Sequence, residues 1–472
     1  MGRKKKKALP YLEGIEITAM AAEGKALARV GDKVLFVPFA APGDVVDVKV
    51  KRSRRNYMEG EIRGIQRLSP ARTDPVCQHF GLCGGCKWQH VPYEAQLTFK
   101  GQQVRDSLQR IGKVRLDEVE VLPIMAAPET TFYRNKLEYT FSNRRWMTPE
   151  EIATGEEIAD TDVLGFHIPG LFDKVLDIEK CWLQASPSNE IRLGVKALAK
   201  KHALSFYDLR ANRGLLRNLV IRNTAGGQVM VILVFGEDDQ EGIERMMQSV
   251  HEAFPQADSL SWILNEKANS SIADLEVHHY KGRECLEEQM ENLVFRIGPK
   301  TFYQTNSVQA CALYSLVRDF AALEGHETLY DLYSGAGTIA CYLADKARQV
   351  VGIEYVQEAV EDAGKNAALN RISNVRFVAG DMARVFNEEL MEAMGRPEVI
   401  ITDPPRAGMH PDVIGQIIRS GAGRIVYVSC NPATQARDIE LLSNSYRLEK
   451  SRAVDMFPHT HHVENVVLLR KS

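Results

Sequence analysis

The chain changes its hydrophobic rhythm twice. Residues 11–66 alternate apolar and polar positions over short runs: LEGIEITAM, KALARV, KVLFVPFA, DVVDVKVKR and YMEGEIRGIQ. Period-two alternation marks strands with one face inward, and Gly14, Gly24, Gly31, Gly43 and Gly60 punctuate them, with Pro42-Gly43 a strong turn signal. Five short strands at this spacing predict a small OB-like barrel over residues 1–66, a common nucleic-acid platform. Residues 67–101 lose the alternation. They are rich in Cys, Gly and His, carry Pro70 and Pro75, and are too short to hold a core without a staple. Residues 102–290 read as mixed α and β, with strands in FYRNKLEYTFS, NLVIRN and QVMVILVFG and helices in NEIRLGVKALAKKHA and DDQEGIERMMQSVHEAF. Beyond about residue 300, apolar runs of strand length (TLYDLYSG, QVVGIEYV, NVRFVAGD, EVIITDPP, RIVYVSCNP) alternate with helical stretches. Such runs predict a parallel sheet buried on both faces, and the closing segment predicts two further strands in hairpin relation. The fold class is therefore α/β multidomain: a barrel (1–66), a central α+β domain (67–290) and a Rossmann-like C-terminal domain (291–472).

Composition narrows the function classes. The 472 residues fit two to four domains, and 44% hydrophobic with 26% charged residues is ordinary for a soluble globular chain. No apolar run reaches the roughly 18–20 residues of a membrane span, so no membrane partner is expected. MGRKKKKALPYLEG lacks the apolar segment of a secretory signal, and eight cysteines are too few for a secreted scaffold, so a reducing cytoplasm is expected. Net charge is −3, yet residues 1–75 carry 16 Lys+Arg against 9 Asp+Glu while the remainder carries 43 against 53. A positive module on an acidic body suits a polyanion binder with a separate enzyme; a solubilising basic tail suits the same charges. Lys49, Lys51, Arg52, Arg54 and Arg55 would track a phosphate backbone or protect a strand edge.

Two sets of strand ends carry candidate chemistry. Asp331-Leu332-Tyr333-Ser334-Gly335-Ala336-Gly337 ends the first C-terminal strand, Glu354 ends the next and Asp381 the third. Open α/β sheets bind ligands at these carboxyl ends, and an acidic residue roughly 20 residues after the glycine turn suits a ribose diol. With neither G-x-G-x-x-G nor a Walker lysine, a nucleoside without pyrophosphate fits best, and S-adenosylmethionine is the obvious one. The fourth strand ends Thr402-Asp403-Pro404-Pro405-Arg406 and the fifth Ser429-Cys430-Asn431-Pro432, which puts Cys430 on the same rim. A thiolate there would be a strong nucleophile, whereas most lone cysteines are small buried hydrophobes.

ITDPPRAG, YVSCNPAT, the terminal HTHHVENVVLL and TFYQTN together resemble the uracil-5 RNA methyltransferases, and the resemblance covers nearly the whole chain. The barrel is similar to the TRAM domain of the 23S rRNA branch. One departure is SGAGT, where the family often has a cysteine after the tyrosine and an asparagine at the Thr338 position. The resemblance implies S-adenosylmethionine-dependent C5 methylation of a specific uridine in 23S rRNA by a class I methyltransferase domain. Uracil C5 is a weak nucleophile until a thiolate adds to C6. The family pattern gives Cys430 as nucleophile, Glu464 as base and Asp403 on the uracil edge, with Gln304, Tyr333, Glu354 and Asp381 holding S-adenosylmethionine and Asp403 touching the cofactor region. The same chemistry on tRNA, or a non-catalytic RNA-binding iron–sulfur protein, are the rival readings.

Cys77-x5-Cys83-x2-Cys86 with Cys181 completes a four-thiolate set. Spacing alone fits zinc and iron–sulfur equally; the resemblance implies a [4Fe–4S] cluster. Cys285, Cys311 and Cys341 read as packing. His459, His461 and His462 read as a loop shaping the pocket rather than as metal ligands. Phe302 or Tyr303 would stack on a flipped base or pack in the core, and Arg134, Asn135 and Lys136 would meet the RNA backbone. No obligate protein partner is expected, so the chain reads as a monomer.

Overall fold

The computed structural model describes residues 9–155 and 160–472; the basic run Arg3–Lys7, counted above in the positive module, lies outside them. The N-terminal strands form one six-stranded sheet rather than five strands, because the short pair at Ala19–Met20 adds an edge to Ala26–Val30. In strand Val45–Ser53, Val46, Val48 and Val50 point inward while Lys49, Lys51 and Arg52 are exposed, which is the alternation read from the sequence. Lys51 meets Glu61 at 2.7 Å and Arg52 meets Glu59 at 3.6 Å on the paired strand Tyr57–Arg67. The edge-protecting reading thus accounts for two of the five cations. Arg54 and Arg55 have no carboxylate partner among the described residues.

The central sheet has seven strands, in the order Leu171–Asp177, Val163–Ile168, Lys136–Ser142, Leu216–Asn223, Val229–Phe235, Ser259–Leu264 and His278–Gly282. The helices Ser188–Lys201 and Gln240–Ala253 bury Ile191, Val195, Met246 and Val250 in its core.

The C-terminal sheet has eight strands, in the order Val375–Ala379, Gln349–Glu354, Thr328–Leu332, Val399–Thr402, Arg424–Ser429, Glu464–Lys471, Tyr446–Val454 and Glu120–Met125. The first five are mutually parallel, and the closing pair is the expected antiparallel hairpin. The boundary at residue 290 needs correction. Strand Glu120–Met125 pairs with Tyr446–Val454, and helix Tyr93–Arg110 buries Val104 and Leu108 in the C-terminal core. Residues 93–125 thus belong to the last domain by pairing and packing.

That helix is also pinned by a buried ion pair. Lys100 Nζ lies 2.6 Å from Asp455 Oδ1, with both side chains fully inaccessible, and donates a second bond to the Phe457 carbonyl (3.1 Å). Removing one partner of such a pair strands a buried charge, at a cost of about 3–5 kcal/mol. Lys100→Met is therefore expected to lower the thermal midpoint by several degrees in calorimetry; an unchanged midpoint would show that the pair is dispensable. Among the described residues no helix is long and apolar enough to cross a membrane.

Candidate functional site

The carboxyl ends of the parallel strands open into a cleft of about 1480 Å³. Cys430, Asp403, Glu464, Gln304, Tyr333, Glu354 and Asp381 all line it. Register explains how residues distant in sequence meet. Ser429 pairs with Asn465 across the antiparallel ladder, so Cys430, one residue past its strand, stands beside Glu464, which opens the neighbouring strand. Asp403 ends the adjoining parallel strand, where its N–H donates to the Leu332 carbonyl (3.4 Å).

The turns around the thiol are tied to each other. Asn431 caps helix Pro432–Leu442 by accepting from the Ala433 N–H, and its Nδ2 donates to the Arg406 carbonyl (3.0 Å). The Thr434 hydroxyl donates to the same carbonyl (3.2 Å). Cys430 and the Asp403–Arg406 turn therefore move as one unit. The N-cap role of Asn431, and proline at the first helical position after it, explain the Cys-Asn-Pro order in local terms.

The site is short of cations. Burial pushes Glu464 up to about 8, reinforced by Asp403, while Arg406 opposes the shift. Burial pushes Asp403 up to about 7. The Cys430 thiol is raised to about 11 by burial and by the negative potential of Glu464 and Asp403, with Arg406 again opposing. Two neighbouring carboxyls of raised pKa beside a thiol form a proton-handling set. Arg406 acts on both Glu464 and Cys430, and a cation three residues after Asp403 in the Asp-Pro-Pro-Arg turn is the signal that points to it. Asp331 likewise proves buried, and burial, reinforced by Asp403, drives its pKa well up against the opposing Ala340 N–H.

The cofactor side is built from backbone. Glu354 accepts from the Gly335 N–H through Oε2 and from the Val356 N–H through Oε1, both at 3.0 Å, which fixes a carboxylate at the strand end with acceptor capacity left for a ribose diol. Tyr333 holds φ 65°, a strained conformation for a bulky residue, in the turn before Gly335. Gly337 (φ 74°) has no room for a Cβ, which would meet Phe377 at 2.7 Å and Ala363 at 2.8 Å. Asp381 caps the Ala383 N–H (3.0 Å) and is exposed at the cleft edge. Thr338 bonds the Tyr314 hydroxyl (3.2 Å) and does not line the cleft, so the SGAGT departure leaves the cleft lining intact.

Cys77, Cys83, Cys86 and Cys181 surround a separate cavity of about 350 Å³. Among the described residues no three His, Cys, Asp or Glu side chains converge on a single-ion site. Burial raises all four thiols, Cys83 and Cys86 to about 12, and Cys83 also feels Cys86, Cys181 and Cys77.

Other expectations are revised. Asn135 braces the cleft: its Nδ2 donates to the Gln304 carbonyl (2.9 Å) and to Ser307 Oγ (2.8 Å), so it is occupied internally rather than free for RNA backbone. Arg134 and Lys136 line the cysteine cavity. Tyr303 is buried, whereas Phe302 is 70% exposed and lines the cleft. Cys285 is not mere packing, since it lines the cleft 3.6 Å from Arg296 Nη2. None of the three histidines lines the cleft. The His459 carbonyl accepts from the Lys87 and Trp88 N–H groups, and His461 packs against Gly24, where an added Cβ would lie 3.2 Å from it, so this loop joins the barrel and cysteine segment to the C-terminal sheet.

Residues 222–472 match the tRNA (Uracil-5-)-methyltransferase family, and residues 14–62 match the TRAM domain. An "Uncharacterized RNA methyltransferase" of Bacteroides thetaiotaomicron is 53% identical over 453 residues, covering 95% of this chain and 99% of that one. One of Porphyromonas gingivalis, with the same description, is 54% identical over 462 residues, covering 96% and 99%. The crystal structure of Pyrococcus abyssi tRNA (uracil-54, C5)-methyltransferase in complex with S-adenosyl-L-homocysteine superposes with a TM-score of 0.75 at 29% identity, covering 97% of this chain and 99% of that one. With more than half its length matched by the family and near full-length relatives above 50% identity, the chain belongs to the tRNA (Uracil-5-)-methyltransferase family of RNA methyltransferases and carries a TRAM domain at its N-terminal end.

Proposed function

We propose that this enzyme methylates C5 of a specific uridine in 23S rRNA through transient addition of Cys430 to uracil C6. The observation that carries the chemistry is the meeting of Cys430, Glu464 and Asp403 on one rim of the cleft. Asp403, poised near neutrality, accepts from N3–H in one protonation state and donates to O4 in the other, which suits an enolate forming at the ring. The Cys430 thiol gives up its proton to solvent as Sγ bonds to C6 and the C5=C6 electron pair moves out toward O4 as the enolate, and Arg406 offsets the charge that develops there. S-adenosylmethionine, when bound, supplies the electrophilic methyl group that C5 takes. Glu464 then accepts the C5 proton, the C6–sulfur bond breaks, and the thiolate is released. With a pKa of about 8, Glu464 takes that proton in its ionised fraction, which grows as pH rises toward 8.

Glu354, Tyr333, Gln304 and Asp381 are assigned to the nucleoside and amino-acid ends of S-adenosylmethionine, and the exposed Phe302 to stacking on the flipped uracil. A tRNA substrate is the second reading, favoured by the full-length structural likeness to a tRNA enzyme. Incubating the protein and labelled S-adenosylmethionine with unmodified 23S rRNA and with unmodified tRNA decides between them. Label in 5-methyluridine of 23S rRNA alone is expected, and label in tRNA alone would transfer the assignment.

The four-cysteine cavity is assigned to a [4Fe–4S] cluster that staples a segment with little core of its own. Anaerobically purified protein is expected to carry about four iron and four sulfide per chain, and Cys181→Ser to lose them. Stoichiometric zinc in place of iron would overturn the assignment.

A further inference from the structure

An aromatic patch lies at the rim of the cysteine cavity, which Lys180 and Trp182 line, with Phe132 outside the lining. Phe132 is 41% exposed and held at φ 55°, a left-handed conformation that a bulky side chain rarely adopts. Its ring lies 5.5 Å from that of Trp182, inclined at 41°. Lys180 Nζ stands 3.7 Å from the centre of the Trp182 ring. The backbone makes the arrangement deliberate: Phe132 N–H donates to the Trp182 carbonyl and Arg134 N–H to the Leu183 carbonyl, both at 2.7 Å.

The patch is continuous with the reacting cleft. The Arg134 guanidinium lies 5.3 Å from the Phe457 ring centre, and Phe457 lines the cleft that holds Cys430. Thr305 lines both the cysteine cavity and that cleft. A uridine drawn out of its stack leaves neighbouring nucleotides unpaired, and their bases need apolar faces to lie on. Exposed rings capped by a cation supply such faces without regard to base identity.

We propose that Phe132, Trp182 and Lys180 form a stacking platform for an unpaired RNA base next to the target uridine. The platform rests on the reading of this chain as an enzyme that acts on an exposed base in RNA. It places the flanking strand across the cysteine domain, and it gives the strained Phe132 backbone a purpose: the turn aims the ring outward.

The test is equilibrium binding of fluorescein-labelled oligouridine and of a fully paired RNA duplex of equal length. Phe132→Gly is the informative variant, because glycine takes the left-handed conformation freely and the residue does not line the cysteine cavity. Phe132→Gly and Trp182→Ala are each expected to weaken oligouridine binding by about tenfold, Trp182→Phe to stay near wild type, and duplex binding to stay unchanged. Unchanged oligouridine affinity in Phe132→Gly overturns the platform. So does equal weakening toward the duplex, or a wild type that binds oligouridine no better than duplex. Because the readout is binding, it stands apart from the methylation assays that test the proposed reaction.

Discussion

Replacing Cys430 by Ala is expected to lower methyl transfer by on the order of a thousandfold or more, while RNA affinity stays within about twofold of wild type. The side chain is half-buried at a strand terminus and contributes little packing, and the turns that hold it are tied through Asn431 and Thr434 to the Arg406 carbonyl rather than through the sulfur. The variant should therefore fold normally. Single-turnover methylation with labelled S-adenosylmethionine, read beside RNA binding, separates the two effects. Methylation at the wild-type rate would remove the covalent route; loss of binding in parallel would make the residue structural.

Glu464→Gln is expected to produce two opposite effects. Turnover should fall by at least about a hundredfold, because glutamine cannot take the C5 proton, and the protein–RNA adduct should accumulate. Stability should rise at alkaline pH. The folded state holds the Glu464 proton up to about pH 8, well above the ordinary carboxyl value, so the unfolded chain binds fewer protons across the window from roughly 4.5 to 8. Wild-type stability therefore falls as pH rises through that window, and glutamine abolishes the loss from this group. Thermal midpoints should match near pH 4 and separate by several degrees near pH 9, with the variant higher. A variant that turns over normally, or one less stable than wild type at pH 9, would contradict this account of the site.

Much of the site was readable because its residues sit at predictable places. Near-continuous Val, Ile and Leu runs marked the parallel strands, and their carboxyl ends carry Tyr333, Glu354, Asp381, Asp403 and Cys430 in the cleft. What local patterns could not show was the non-local pairing. Glu120–Met125 contains Pro123, lacks clean alternation and pairs with a strand more than 300 residues away, so nothing in its own sequence assigns it to the last domain. Asn135 looked like an RNA contact because it lies in a polar run, and only the tertiary fold turns it onto the Gln304 carbonyl. The partners of the histidine loop, Gly24, Lys87 and Trp88, likewise come from distant segments. Shifted protonation equilibria at Asp403 and Glu464 follow from burial, which has no local signature.

The most direct measurement uses an RNA substrate carrying 5-fluorouridine at the target position, incubated with wild-type protein and S-adenosylmethionine and analysed by denaturing electrophoresis and peptide mass spectrometry. Fluorine at C5 cannot leave as a proton, so the reaction should stop with the RNA joined to Cys430. A stable adduct mapped to that residue is the predicted result. Absence of any adduct, with the same preparation methylating unsubstituted RNA, would contradict it.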